Sequence, residues 1–159
     1  MGSNKKIYFP KLRLTEKVMA AGGTTREDAV AGAIANLQTI SAEGDFVMNG
    51  SIQSIEKLVK GSGGKLETAA LNELLVHADQ VITLAGTFGY DYLDRAARSM
   101  CDTIDCLQTQ NSSDLAPIAV HADAMRLFAP KKGGPTGDAA EAVLAELARV
   151  LAYYRSKAA

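Results

Sequence analysis

The sequence has little of what several protein classes require. Its 159 residues include no tryptophan, four prolines and two cysteines, and only 6% are aromatic. Cys101 and Cys106 are five residues apart, so on a helix they point in different directions. That spacing fits neither a CxxC redox motif nor a zinc site. We therefore expect a reduced, cytoplasmic protein that needs no metal and no other cofactor.

The sequence also has no large excess of positive or negative charge and no long apolar run. The chain has 17 basic and 18 acidic side chains and a formal net charge of −1, so no global field favours nucleic acid or an anionic membrane surface. No apolar run reaches the length of a membrane span, and no signal-type hydrophobic region occurs. We expect a partner that is recognised by local shape, and predict neither nucleic acid nor membrane in that role.

What the sequence does contain favours helices. Alanine and leucine are abundant, whereas the alternating β-branched residues typical of strands are scarce, which predicts an all-α protein. The length fits one domain with a substantial core. We expect an N-terminal arm over residues 1–23 that lies against the bundle, followed by one helical domain over residues 24–159.

Apolar periodicity divides that domain into helices. It predicts one long helix over residues 24–60, with Thr24 and Glu27 as a capping box. Gly44 and Gly50 leave open whether this helix is continuous, bent or broken into two. Further helices are predicted over residues 66–85 and 90–109, from near Asp114, and from a cap formed by Asp138 and Glu141. The charged residues expected on a solvated face of the 90–109 helix are Asp91, Asp94, Arg95, Arg98, Asp102 and Asp105.

The stretch from Leu71 to Tyr90, LNELLVHADQVITLAGTFGY, combines a strong helical pattern with a glycine-bounded exit. At about 100° per residue, one broad face is apolar, and the flank that carries Asp79 is suited to water. His77 lies roughly 160° from Asp79, so one helix cannot easily offer both side chains to one partner. In the exit, glycine permits a tight passage and Thr87 can cap the next helix.

This stretch resembles the alphaproteobacterial branch of the histidine-containing phosphotransfer (HPt) proteins. In that family a phosphorylated histidine is followed by a lysine three residues on, a glycine four residues on, and then a glycine-bounded turn. In the same frame Asp79 occupies the histidine position, Ile82 the lysine position and Thr83 the glycine position. The residues that carry the likeness are Leu71, Leu74, Leu75, Ala78, Thr87, Phe88, Gly89 and Tyr90.

The resemblance implies an all-α, antiparallel four-helix bundle of HPt type, with the N-terminal arm and a C-terminal helix added. It also implies a signalling module that binds a response-regulator receiver domain or a sensor histidine kinase in a two-component phosphorelay. Because the three chemical positions differ, we expect a non-catalytic binding module that carries no phosphate. The predicted partner-binding residues are Val76, Asp79, Ile82, Thr83, Phe88 and Tyr90. Val76 is the most informative of them, since apolar residues such as Ile82 more often fill the core.

The sequence leaves two alternatives open. An active phosphotransfer protein would use His77 as its phosphoacceptor, which requires a two-residue slip that rotates the apolar face out of register with the turn. A structural dimer would pair two copies through the alanine-rich last helix, so the expected state is a monomer or a homodimer. The second histidine, His121, borders an apolar stripe, and without a visible partner it favours a structural role over a chemical one.

Overall fold

A computed structural model of the chain describes residues 22–130 and 134–158, and this part of the chain is built of helices without a named strand. The helices are α1 (Arg26–Gly61), α2 (Thr68–Phe88), α3 (Asp91–Thr109), α4 (Ala116–Phe128) and α5 (Gly137–Ala158). The predicted all-α class is therefore confirmed. Of the predicted arm over residues 1–23, all but Gly22 and Gly23 lie outside the described residues.

The chain divides into two units between Gln38 and Thr39, inside α1. In the first unit, the Thr25 hydroxyl caps α1: it accepts the backbone N–H of Asp28 at 3.1 Å and donates to the Asp28 carboxylate at 2.8 Å. The predicted capping box at Thr24 is therefore wrong by one residue. Both threonines have an acidic residue three positions on, so the sequence pattern does not choose between them.

α1 runs through Gly44 and Gly50 as one continuous helix. The weak helix propensity of glycine does not interrupt it, because Gly44 is buried in a helix contact whose packing outweighs propensity. After α1 ends, Gly63 and Gly64 adopt φ angles of +59° and +96°, in the region that favours glycine. These glycines allow the chain to turn before α2.

In the second unit, α1 packs antiparallel to α2. Gly44 lies against the ring of Phe88 near the end of α2, and further along α1 the Ser51 hydroxyl donates to the Gln80 amide oxygen at 2.7 Å. A Cβ atom at position 44 would overlap the Phe88 ring. Glycine is therefore required for the two helices to come this close.

α3 is the central helix of this unit and packs against α2, α4 and α5. It is antiparallel to α2, because a tight turn joins the two helices at one end and Gln108 donates a 3.1 Å hydrogen bond to Asn72 at the other. Tyr92 stacks on Phe128 of α4, with ring centroids 5.8 Å apart. The residues of α3 that are buried at helical spacing are Leu93, Ala96, Ala97, Met100, Thr103, Ile104 and Leu107.

The turn from α2 to α3 begins later than predicted, because α2 continues to residue 88 rather than 85. Gly89 closes the helix with φ +77°, and the N–H of Tyr90 bonds to the Ala85 carbonyl at 2.9 Å. Thr87 lies inside α2, where its hydroxyl donates to the Thr83 carbonyl at 2.8 Å. The prediction that Thr87 caps the next helix is therefore wrong.

α4 begins as the sequence predicts. The Asp114 carboxylate accepts the N–H of Ala116 at 3.0 Å, and Pro117 occupies the first turn, where no backbone donor is needed. A backbone hydrogen bond of 3.1 Å from Leu66 to Ser113 ties the loop before α2 to the loop before α4.

α5 lies parallel to α3 and is joined to it by charged side chains. Arg95 donates two hydrogen bonds to Glu141, at 2.6 and 2.9 Å, and further along Arg155 donates to Asp102 at 2.9 Å. Glu141, which the sequence predicts as part of a helix cap, thus binds α3 through Arg95. The outer face of α3 is also not simply solvated, because part of it is paired with α5.

Candidate partner-docking surface

An exposed row of side chains runs along α2. Val76 is 68% exposed, and Asp79, Gln80 and Thr83 are exposed near it. These four residues are termed the α2 flank. The Thr83 hydroxyl donates to the Asp79 carbonyl at 3.0 Å, so its proton is used within the helix, and its methyl group and oxygen lone pairs are what it offers a partner.

An apolar groove borders this flank, between α1 and α2. Its volume is about 410 Å³, and it is termed the α1/α2 groove. Gln80 and Thr83 belong to both the groove and the flank, so the two features form one continuous surface. The lining residues are Ile40, Glu43, Gly44, Val47, Gln80, Thr83, Leu84 and Phe88.

Phe46, on α1, is 80% exposed. It directly precedes Val47, which lines the groove. Leaving such a side chain in water forgoes roughly 1.5–3 kcal/mol of burial free energy. Single exposed apolar residues are common, but an exposed aromatic ring on a helix that also lines an apolar groove is suited to anchor a partner. The sequence pattern does not predict a binding role for Phe46. Its only sign in the sequence is an aromatic residue that lies outside the apolar stripe of α1.

Asp79 occupies the position where the HPt resemblance expects the phosphorylated histidine, and it is exposed. Its carboxylate lies within electrostatic range of Arg98 on α3. The pKa of Arg98 is raised mainly by its 2.8 Å hydrogen bond to Asp94 and, more weakly, by Asp79. Arg98 is itself paired with Asp94, so its influence on position 79 is a weak electrostatic one that comes from α3. No spacing within α2 could have revealed it.

His77 lies at the other edge of the apolar face and is half-buried. Its Nδ1 atom is buried and has no hydrogen-bond partner among the described residues. Of the two side chains that compete for the acceptor role, the Asp79 carboxylate is thus the more exposed.

The other three predicted partner-binding residues are half-buried. Ile82 packs against the core, and Phe88 lines the groove. The Tyr90 hydroxyl donates to Asp45 at 2.7 Å; burial and then this hydrogen bond raise the pKa of Tyr90 to about 12. Of these three, Phe88 belongs to the groove, whereas Ile82 and Tyr90 hold helices together.

His121 is fully buried between α3 and α4. Its Nδ1 lies 2.7 Å from the Pro117 carbonyl, which can only accept, so Nδ1 carries the proton. Its Nε2 then accepts from the Ser99 hydroxyl at 3.0 Å. Burial lowers the pKa of His121, and the bond to Pro117 opposes that shift. These partners, which the sequence did not reveal, assign His121 a structural place in the core.

The two cysteines form no disulfide and are half-buried. Burial is the main cause that raises the pKa of the Cys101 thiol to about 11, which disfavours its reactive thiolate. Within residues 22–130 and 134–158, no three His, Cys, Asp or Glu side chains lie close enough together to hold a metal ion.

No helix in the same ranges is both long and apolar enough to cross a bilayer. Comparison of the chain with protein-family models, with curated proteins and with solved structures found no match. The likeness to HPt proteins therefore rests on the residues of the stretch from Leu71 to Tyr90.

Proposed function

We propose that this chain is a degenerate HPt-like module that binds the receiver domain of a response regulator and carries no phosphate itself. The observation that carries the proposal is the continuous surface formed by the α2 flank and the α1/α2 groove, with exposed Asp79 at the acceptor position. A sensor histidine kinase is the alternative partner, and the same surface serves both.

The helix arrangement supports an HPt-type bundle. α1, α2 and α3 are antiparallel in succession. α4 is antiparallel to α3, because Phe128 at its end meets Tyr92, while His121, about two turns earlier in α4, meets Ser99, about two turns later in α3. α5 packs against α3 and α4, and its buried residues Ala140, Leu144 and Leu147 belong to the same core. We propose that α1 to α4 form the bundle and that α5 is the added C-terminal helix.

The chemistry of the surface suits docking rather than phosphoryl transfer. An apolar centre with a polar rim is the usual anatomy of a protein interface, and an amphipathic helix of a partner can lay its apolar face into such a groove. A carboxylate at position 79 would form an acyl phosphate instead of a phosphohistidine, and Ile82 supplies no charge to steady it. The surface can bind a partner yet lacks the group that the family transfers.

The test is a calorimetric titration of the full chain against receiver domains of the same organism. We expect Phe46→Ala to weaken binding by roughly tenfold or more, as loss of an exposed aromatic anchor does. Thr83→Arg should block the groove and weaken binding further. Tyr153→Ala is the matched control, because Tyr153 is 55% exposed on α5, and this variant should bind as the wild type does.

Two outcomes would overturn the proposal. If Phe46→Ala and Thr83→Arg both bind as tightly as the control, or if no receiver binds while a histidine kinase also fails to bind, the surface has no such role. Incubation with a phosphorylated receiver should leave no acid-labile label on the chain. Label that disappears in His77→Ala would instead establish His77 as a phosphoacceptor and refute the claim that no phosphate is carried.

A further inference from the structure

A second apolar groove lies between α4 and α5. It consists of two cavities of about 550 and 360 Å³, and Val120 lines both of them. Val120, Leu127 and Tyr153 border these cavities and are 45%, 39% and 55% exposed. These three residues, with the exposed side of α5, are termed the α4/α5 face. An apolar surface of this kind gains free energy when a partner covers it.

The exposed side of α5 carries a regular seam. Ala142, Glu146, Arg149 and Tyr153 are all exposed and follow one another at intervals of four, three and four residues. This is the spacing at which one helix packs along another in a coiled coil. These four residues are termed the α5 seam. The buried residues on the opposite side of the helix are Ala140, Leu144, Leu147 and Leu151.

The α5 seam is complementary to itself when a second copy runs in the opposite direction. A two-fold axis halfway along the seam places Glu146 opposite Arg149 of the second copy, and Arg149 opposite Glu146 of the second copy. It also places the small Ala142 opposite Tyr153 of the second copy, which leaves room for the ring. A parallel pair in register would instead place each charged residue against its own kind. The charges therefore select the antiparallel arrangement.

The flank of the seam fits the same arrangement. Val143 and Val150 each follow a seam residue by one position, and both are half-buried where they line the groove. In an antiparallel pair of helices, equivalent flanks of the two seams lie side by side. Val143 of one copy then lies level with Val150 of the other. The two grooves adjoin, and one contact covers apolar surface on both copies.

The charge balance of the face also favours a second copy over a strongly charged partner. Asp123, Arg126, Glu146 and Arg149 line the groove, so each sign is present twice. Within one chain, Arg126 lies 3.3 Å from Asp123 and Arg149 lies 2.6 Å from Glu146. Both pairs are exposed and contribute little, so they can exchange partners at small cost. A face with this balance presents each charge with its opposite when it meets its own copy.

We infer that two copies of this chain pair through the α4/α5 face, with their α5 helices antiparallel. The exposed apolar side chains supply the buried area, and Glu146 with Arg149 sets the direction and register of the pair. The face shares no residue with the α2 flank or the α1/α2 groove. The inference therefore does not depend on the proposed receiver binding.

The test is sedimentation velocity of the full chain over a dilution series. We expect the wild type to dissociate from dimer to monomer as it is diluted. Glu146→Arg and Arg149→Glu should each weaken the dimer by roughly tenfold or more, because each places like charges opposite one another. An equal mixture of the two variants should restore the dimer, since each cation of one variant then faces an acid of the other. Glu73→Arg and Lys57→Glu, at exposed positions on α2 and α1, are the charge-matched controls and should dimerise as the wild type does.

A second type of variant tests the apolar part of the contact. Tyr153→Ala should weaken the dimer without a change of charge, because it removes an exposed ring from the seam. Circular dichroism should show unchanged helix content in every variant, since all the substituted side chains are exposed. The inference is overturned if the wild type stays monomeric at every concentration, if either charge variant of the seam dimerises as the wild type does, or if their mixture stays monomeric.

Discussion

Within the second unit, the contacts of α3 with α4 and α5 differ in chemistry from the contacts between α1 and α2. Beside α3, two polar contacts are satisfied: His121 is bonded to Ser99 and Pro117, and Arg95 is bonded through both its terminal nitrogens to Glu141. Between α1 and α2, Ser51 bonds to Gln80, but the closest approach is the apolar contact of Gly44 with Phe88, with an open groove beside it.

The difference separates groups that hold the fold from groups left for a partner. A buried polar group whose hydrogen bonds are made has no free donor or acceptor to offer. An apolar surface that is only partly covered gains free energy from further burial. The α1/α2 side is therefore where binding is expected, and the α3 side is where stability and its pH dependence are expected.

The largest effect should come from Gly44→Ala. The new methyl group would overlap the Phe88 ring, so we expect a loss of about 1–3 kcal/mol in the free energy of unfolding, as for other overpacked contacts. Gly50→Ala is the matched control on the same helix, where a Cβ meets nothing within 4 Å. It should stabilise the chain by about 0.5–1 kcal/mol. Urea unfolding measures both.

A rescue sharpens this prediction. Phe88→Leu combined with Gly44→Ala should be less destabilised than the sum of the two single variants, because the smaller side chain makes room for the methyl group. If Gly44→Ala stabilises the chain as Gly50→Ala does, the close contact between α1 and α2 is absent.

An intermediate effect is expected from His121. Its pKa is lowered from the usual 6.5, so the unfolded chain takes up a proton that the folded chain resists. The stability contributed by neutral His121 is full above pH 6.5 and is lost as the pH falls toward the lowered pKa, with a slope of at most about 1.4 kcal/mol per pH unit. Urea unfolding at a series of pH values measures the slope.

His121→Asn should remove this part of the slope, even if it also lowers stability at neutral pH. His77→Asn should leave it in place. A wild-type slope that survives in His121→Asn would mean that another group titrates and that the buried network on the α3 side does not control the acid sensitivity.

The smallest effect should come from the Arg95–Glu141 pair. Both side chains are about half exposed, and such pairs contribute little because water and salt screen them. We expect Glu141→Gln to lower the urea midpoint slightly, and the difference to disappear in high salt. Glu146→Gln, which removes a pair within α5, is the control and should change the midpoint even less. A loss as large as that of Gly44→Ala would show that this pair holds α5 in place.

Much of the fold could be predicted from the sequence, because helix periodicity is local. The prediction of a long first helix and of Pro117 in a first turn is confirmed, and Val76 and Asp79 are exposed on the flank of α2. The errors lie at helix ends. Thr24 was favoured over Thr25 as a cap, and the end of α2 was placed three residues early, because several residues there satisfy the same local pattern.

The candidate site could be predicted only on one helix. The flank of α2 follows from the spacing along that helix, but Ile40, Val47 and Phe46 belong to a helix separated from it by a loop. A groove between two helices depends on how closely they approach, and Gly44 sets that distance through its contact with Phe88. Spacing within either helix contains no information about that approach.

By itself, the sequence determined the helices, the apolar face of each, the absence of an excess charge, and the carboxylate at position 79, because these depend on side-chain type and on neighbours within about four residues. Only the tertiary structure decided that Ser99 bonds to His121 and that a groove remains open between α1 and α2. Each of these depends on residues from different helices, which are brought together by the burial of a shared core.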